Sequence, residues 1–271
     1  MRRFIKLWVP TVLVVGLVAT GCGSSSSSSS DRNTTTTTGA SKVTGNIDVS
    51  AAASLTEAFT KIGADFKAAN PGASTTFNFG SSGTLETQIQ QTSGAGVDAF
   101  ASADEDNMNK LARANLIDGT PTVFAKNKLV IVTKPGNPKD IKTLADLAKA
   151  GVVSLCGLTV PCGRYAAQIL RTAGVNIPET KVTRGIDVKG TLAAVTTGDA
   201  DAAIVYITDA KSAGSSVTAV TIPDAQNAIA TYPIATLKSA ASGATSQAFV
   251  EYVKSSKGQA TLESFGFLPP S

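Results

Sequence analysis

Two hydrophobic rhythms alternate along the chain beyond residue 43. Short apolar or alternating runs fit strands, and each gives way to a stretch in which apolar residues return every three or four positions, as on one face of a helix. Residues 48–59 (DVSAAASLTEAF) set the pattern. A short strand turns through three alanines into a helix that presents Leu55, Ala58, Phe59, Ile62, Phe66 and Ala69, and Asn70-Pro71-Gly72 stops it. Ser54 and Glu57 have the spacing of a capping box, so the helix is expected to begin at Ser54. Small residues before a helix start let an anion approach the bare amides, although Ser54 taken alone reads first as a plain cap.

The unit then recurs. Residues 74–79 read as a strand that breaks at Gly80-Ser81-Ser82-Gly83 and enters a helix through Leu85 and Ile89. Residues 97–102 read as a strand, with Asp104 capping a helix that carries Met108, Leu111, Ala112 and Leu116. A buried-type strand at 128–133 precedes the Pro135-Gly136-Asn137-Pro138 turn, a helix through Leu144 and Leu147, a strand at 152–155 and a loop at 156–163. That loop opens a helix presenting Ala166, Ile169 and Leu170; Val188-Lys189-Gly190 opens another with Leu192 and Val195. Strands follow at 202–206 and 217–222, and residues 246–267 read as largely helical. Such alternation implies an α/β architecture with mostly parallel sheets, whose ligands bind beyond the carboxyl ends of the strands. We expect two lobes with a ligand cleft between them, one inserted into the other: residues 44–125 with 233–271, and residues 126–232.

Composition narrows the chemistry. Histidine is absent, which removes Ser-His-Asp and Cys-His devices and His-based zinc sites. A serine hydrolase on Ser82 would also lack the Gly-x-Ser-x-Gly elbow. Residues 1–21 have a basic start (Arg2, Arg3, Lys6) and a short apolar run, and read as a secretory signal. Ala19-Thr20-Gly21-Cys22 resembles a bacterial lipobox, which would make Cys22 the lipidated mature N-terminus, the alternative being a secreted protein cut nearby. Serines 24–30 and threonines 34–38 cannot fold on their own, so residues 22–43 are expected to form a flexible tether; a structural or adhesive lipoprotein would use one too. Without the three basic residues of the signal, 21 of the 24 remain against 20 acidic ones, so charge makes no case for nucleic acid. Cys156 and Cys162, close together in an exported chain, are expected to form a disulfide.

Five segments carry related junction chemistry: AAASL at 51–55, GSSGTL at 80–85, VPCGRYA at 160–166, DVKG at 187–190 and IVYITDA at 204–210. Taken in this order they resemble the periplasmic molybdate-binding proteins of ABC transporters, and the resemblance spans the whole folded part. It implies the two-lobed periplasmic-binding-protein fold and a tetrahedral dianion held by hydroxyls and main-chain amides. By motif, Ser54, Ser82 and Tyr206 would supply hydroxyls, and Cys162 and Val188 backbone amides. Gly83, where serine is frequent, and Cys162, where alanine is common, depart from the pattern. The resemblance further implies an extracytoplasmic, lipid-anchored, monomeric, non-enzymatic protein that hands molybdate or tungstate to a permease. The molybdenum would be bound as oxyanion, without a protein–metal ligand or a cofactor. Another tetrahedral oxyanion such as sulfate is the alternative ligand. Arg164 and Lys189 lie near the junctions and read as solvated charges or partner contacts, direct ligation of the anion being the alternative.

Overall fold

The computed structural model describes residues 43–271. The expected signal segment, Cys22 and all of the tether but its last residue lie outside the described residues. Among those described, no helix is long and apolar enough to cross a membrane.

Among the described residues, nine strands form one sheet: β1 (Gly45–Ala52), β2 (Ala73–Gly80), β3 (Ala99–Ala101), β4 (Ile117–Thr133), β5 (Val153–Cys156), β6 (Val182–Gly185), β7 (Ala202–Tyr206), β8 (Thr218–Thr221) and β9 (Ile229–Leu237). Their order is β2-β1-β3-β9-β4-β7-β5-β6, with β8 beside β4. The strands at each end, β2-β1-β3 and β7-β5-β6, are parallel within their sets. The middle is antiparallel: β9 pairs with β3 and β4, and β4 pairs with β7 and β8. The sheet is therefore mixed rather than mostly parallel. The departure comes from β4 and β9, two long neighbours that carry the chain between the parallel sets. The boundaries expected at 125/126 and 232/233 fall inside these two strands.

Eight α-helices among the described residues flank the sheet: α1 (Thr56–Ala69), α2 (Ser82–Gln91), α3 (Glu105–Arg113), α4 (Pro161–Thr172), α5 (Val188–Thr196), α6 (Ile207–Ala213), α7 (Gly243–Lys254) and α8 (Ser256–Ser264). The helix expected over 246–267 is broken at Ser255, whose hydroxyl caps α8 by accepting from the Gly258 amide. The helix expected through Leu144 and Leu147 is a single 3-10 turn, Ala145–Lys149. The apolar stripe of α1 is buried as its spacing requires, and Phe59 and Phe66 meet Phe249 of α7 edge to face with ring centroids 6.0 and 5.5 Å apart. Burying each such ring contributes roughly 1.5–3 kcal/mol, so this cluster fixes the start of α1 firmly.

Ser54 does not begin an α-helix. Residues Ala53–Leu55 form one 3-10 turn ahead of α1, and no side chain caps either element. The capping-box reading fails because both of its side chains are engaged elsewhere: the Ser54 hydroxyl bonds Tyr232, 2.8 Å away, and Glu57 accepts from Lys189 at 2.8 Å.

Candidate functional site

Every parallel strand ends at one place. β1 runs into Ala52 and Ala53, β2 into Gly80 and Ser81, β3 toward Ala103, β5 toward the loop before Pro161, β6 toward Asp187, and β7 into Tyr206. Residues from all six exits border a single cavity: Ala52, Ala53, Ser54, Gly80, Ser81, Ser82, Ala103, Val160, Pro161, Cys162, Asp187, Val188 and Tyr206. All five residues singled out from the sequence are among them, each at most 3% exposed. The space measures about 10 Å³ to the centre of a water-sized sphere, room for about one compact group rather than an extended solute.

The lining consists largely of helix starts. The caps of the Ala53–Leu55 turn, α2, α4, α5 and α6 are Ala52, Ser81, Val160, Asp187 and Tyr206, and each borders the cavity. A helix start offers roughly half a positive charge through its unpaired amides, so several together suit an anion without a cationic side chain. Among the described residues, no Lys or Arg borders the cavity.

The serine hydroxyls are aimed by their own partners. The Ala103 amide donates to Ser82 Oγ at 2.9 Å, and because an amide can only donate, the Ser82 proton is left for another acceptor. Ser81, one residue earlier, caps α2 by accepting from the Thr84 amide at 3.2 Å. The Tyr206 hydroxyl is buried without a hydrogen-bond partner among the described residues. Burial holds its pKa well above the usual phenol value, so it remains a donor. Cys162 is joined to Cys156 by a disulfide with Cα atoms 5.9 Å apart, which ties the first turn of α4 to the end of β5. The next residue must be glycine: a Cβ on Gly163 would lie 2.8 Å from the Cys156 carbonyl oxygen and collide with that of Gly157.

The neighbouring charges differ from the sequence reading. Arg164 and Lys189 are not simply solvated. Arg164 pairs with Asp104, the cap of α3, and donates to the Thr159 carbonyl at 2.6 Å. Lys189 lies 2.8 Å from Glu57 of α1 and 3.0 Å from Asp209 of α6. Burial works to lower the Lys189 pKa, but Asp209 and Glu57 outweigh it and raise the value. Asp209 is fully buried, and desolvation pushes its carboxyl up to about 6 against the pull of Lys189. Asp187 is a carboxylate on the lining, which the donor-only reading of the sequence did not anticipate. Its Oδ1 accepts from the Gly190 amide at 2.8 Å and so caps α5.

Two further residues, unmarked in the sequence, lie behind the lining. Tyr232 of β9 and Asn127 of β4 are both fully buried and connect Ser54 to Thr208 by hydrogen bonds. A tyrosine and an asparagine in long strands carry no local motif. Only the pairing of β4 with β9 brings them to Ser54.

The chain matches the family model described as bacterial extracellular solute-binding protein over residues 47–268. It is similar to the molybdate-binding protein ModA of Mycobacterium tuberculosis, at 42% identity over 263 residues that cover 97% of this chain and 96% of the relative. The periplasmic molybdate-binding protein of Azotobacter vinelandii shares its fold with a TM-score of 0.75 and 21% identity, covering 83% of this chain and 100% of that one. The sulfate-binding protein SubI of Mycobacterium tuberculosis shares it with a TM-score of 0.74 and 19% identity, over 83% and 86%. With the family model spanning nearly the whole described region, the chain belongs to the bacterial extracellular solute-binding proteins.

Proposed function

We propose that this protein captures molybdate, and tungstate comparably, and delivers it to an ABC permease. The observation that carries the reading is the cavity itself. Ser54, Ser82, Tyr206 and the helix starts at Cys162 and Val188 surround a space for one compact group, with no cationic side chain from the described residues on its wall. A dianion there is held by hydroxyl and amide donors, and the protein binds its ligand without transforming it. Residues 44–125 with 233–271 and residues 126–232 act as two lobes that close on it, β4 and β9 serving as the hinge. The similarity to the molybdate-binding protein ModA of Mycobacterium tuberculosis supports the ligand.

Selectivity follows from the donors. Molybdate, tungstate and sulfate carry no proton at neutral pH, whereas hydrogen phosphate brings one that would face the donors of Ser54, Ser82, Tyr206 and the helix starts, the lining carboxylate of Asp187 being engaged in capping α5. Leaving that group unsatisfied costs roughly 1–3 kcal/mol, so phosphate binds about tenfold or more weakly. Sulfate is smaller and stretches its hydrogen bonds in a cleft closed on molybdate. Competitive calorimetry near pH 7 with the four anions tests the reading. Molybdate and tungstate are expected to bind alike and ahead of the other two; sulfate or phosphate binding as tightly as molybdate overturns it.

The mature protein is held at the extracytoplasmic face of the cell membrane by lipid on Cys22. Cys22→Ala is expected to move the protein to the soluble fraction. Unchanged fractionation with membrane rejects the anchor.

A further inference from the structure

We infer that Tyr232 and Asn127 are positioning residues that set the proton polarity of Ser54, fixing it as a donor toward the bound anion and so excluding protonated oxyanions. This deepens the proposed function and rests on that reading of the cavity.

The argument starts from a group that can only donate. The Lys128 amide donates to Asn127 Oδ1 at 2.9 Å, which fixes which end of the Asn127 side chain is oxygen. Its Nδ2 must then be the group directed at Thr208 Oγ1, 3.0 Å away, and at the Tyr232 hydroxyl, 3.4 Å away. An amide nitrogen donates, so the Tyr232 oxygen accepts. Tyr232 has one proton of its own, and among the described residues the acceptor within hydrogen-bond distance is Ser54 Oγ at 2.8 Å. Ser54 therefore receives a proton from behind and is left with its own proton for the cavity. Ser82 has the same polarity by a shorter route, since its oxygen accepts from the Ala103 amide. One serine is set by the backbone, the other by a relay from β4 and β9.

Burial makes the relay firm. Asn127 and Tyr232 are both 0% exposed, so no bulk water competes for their hydrogen bonds. Burial also raises the Tyr232 pKa, which keeps its proton in place. The ring is held independently of the hydroxyl by edge contacts with Phe124, Tyr206 and Phe267, at centroid distances of 6.3, 6.0 and 5.4 Å. Tyr232→Phe therefore removes the relay while leaving the packing.

Without the relay, the Ser54 hydroxyl is free to turn and accept from a protonated ligand. In Tyr232→Phe, the ratio of phosphate Kd to molybdate Kd is expected to fall about tenfold by calorimetry near pH 7. Asn127→Asp, which offers an acceptor where Nδ2 donates, draws the Tyr232 proton away from Ser54 and is expected to move the ratio the same way. It decides the matter if Tyr232→Phe does not fold. A purely structural role would weaken both anions equally, so an unchanged ratio overturns the inference even if absolute affinities drop. Wild-type protein that binds no oxyanion would instead bring down the proposed function, and this inference with it. Neutron diffraction of the wild-type protein with molybdate gives a check that needs no variant: the Tyr232 deuteron is expected on the Ser54 side, and finding it elsewhere rejects the relay.

Discussion

At the scale of single residues, the lining hydroxyls divide by what they do when nothing is bound. Ser82 satisfies the Ala103 amide and is part of the fold as well as the wall, whereas Tyr206 satisfies nothing among the described residues. Ser82→Ala orphans a buried amide and is expected to lower stability by about 1–3 kcal/mol, as well as weakening molybdate. Tyr206→Phe is expected to leave the unliganded melting temperature unchanged or raised, while molybdate affinity drops about 10- to 100-fold, the weight of a hydrogen bond to a charged group. Melting and calorimetry on the two variants separate these outcomes, and a Tyr206→Phe protein that binds as tightly as wild type would remove Tyr206 from the site. Both residues were legible in the sequence because each sits in a short junction motif. Tyr232 and Asn127 were not, since their role arises only when strands about a hundred residues apart in sequence pair. Ser54 was legible as a residue of the cavity wall, but the capping-box reading of its hydroxyl failed, because that spacing says nothing of a tyrosine across the sheet.

At the scale of elements, the strand-to-helix units could be read from the sequence because their periodicity is local, and β7 matches its expected span of 202–206. The antiparallel middle of the sheet could not. β9 has Pro233 in its interior, which argues against a central strand by pattern alone; the Pro233 carbonyl instead accepts from the Ser102 amide at 3.0 Å. The loop from β5 to α4 offers a sharper test of how an element serves the site. Its disulfide closes a sequence separation of six, and by loop-closure entropy contributes on the order of 2 kcal/mol. Replacing Cys156 and Cys162 together by alanine keeps the amide at 162 and loses the tie. The expected result is a melting temperature lower by about 4–8 °C for a domain of this size, with molybdate affinity reduced by less than about tenfold. A loss of binding as complete as that of a hydroxyl variant would mean that the sulfur, rather than the amide, contacts the ligand. Mass spectrometry showing two alkylatable thiols in the unreduced protein would remove the disulfide itself.

At the scale of the whole molecule, the ion pairs around the cavity connect segments far apart in the chain. Lys189 joins Glu57 of α1 to Asp209 of α6, and Arg164 joins α4 to the cap of α3, so in the proposed two-lobe arrangement both cations bridge the lobes beside the ligand. The buried member, Asp209, makes this arrangement sensitive to pH. Desolvation is the largest influence on its carboxyl, Lys189 opposes it, Glu57 adds to it, and the result is a folded-state pKa of about 6 against an ordinary value of 3.8. A carboxyl whose pKa is higher in the folded state takes up its proton more readily there than in the unfolded chain. Its contribution to stability is therefore fully present below about 3.8 and is lost as pH rises through about 6. Asp209→Asn has no such titration. The melting temperature of unliganded wild-type protein, taken relative to that of Asp209→Asn, is thus expected to decline as pH increases from about 4 to about 7, with most of the change between 4 and 6. Melting curves of the two proteins across that range provide the measurement. A difference independent of pH would show that Asp209 keeps an ordinary carboxylate pKa, and that Lys189 fully compensates for its burial.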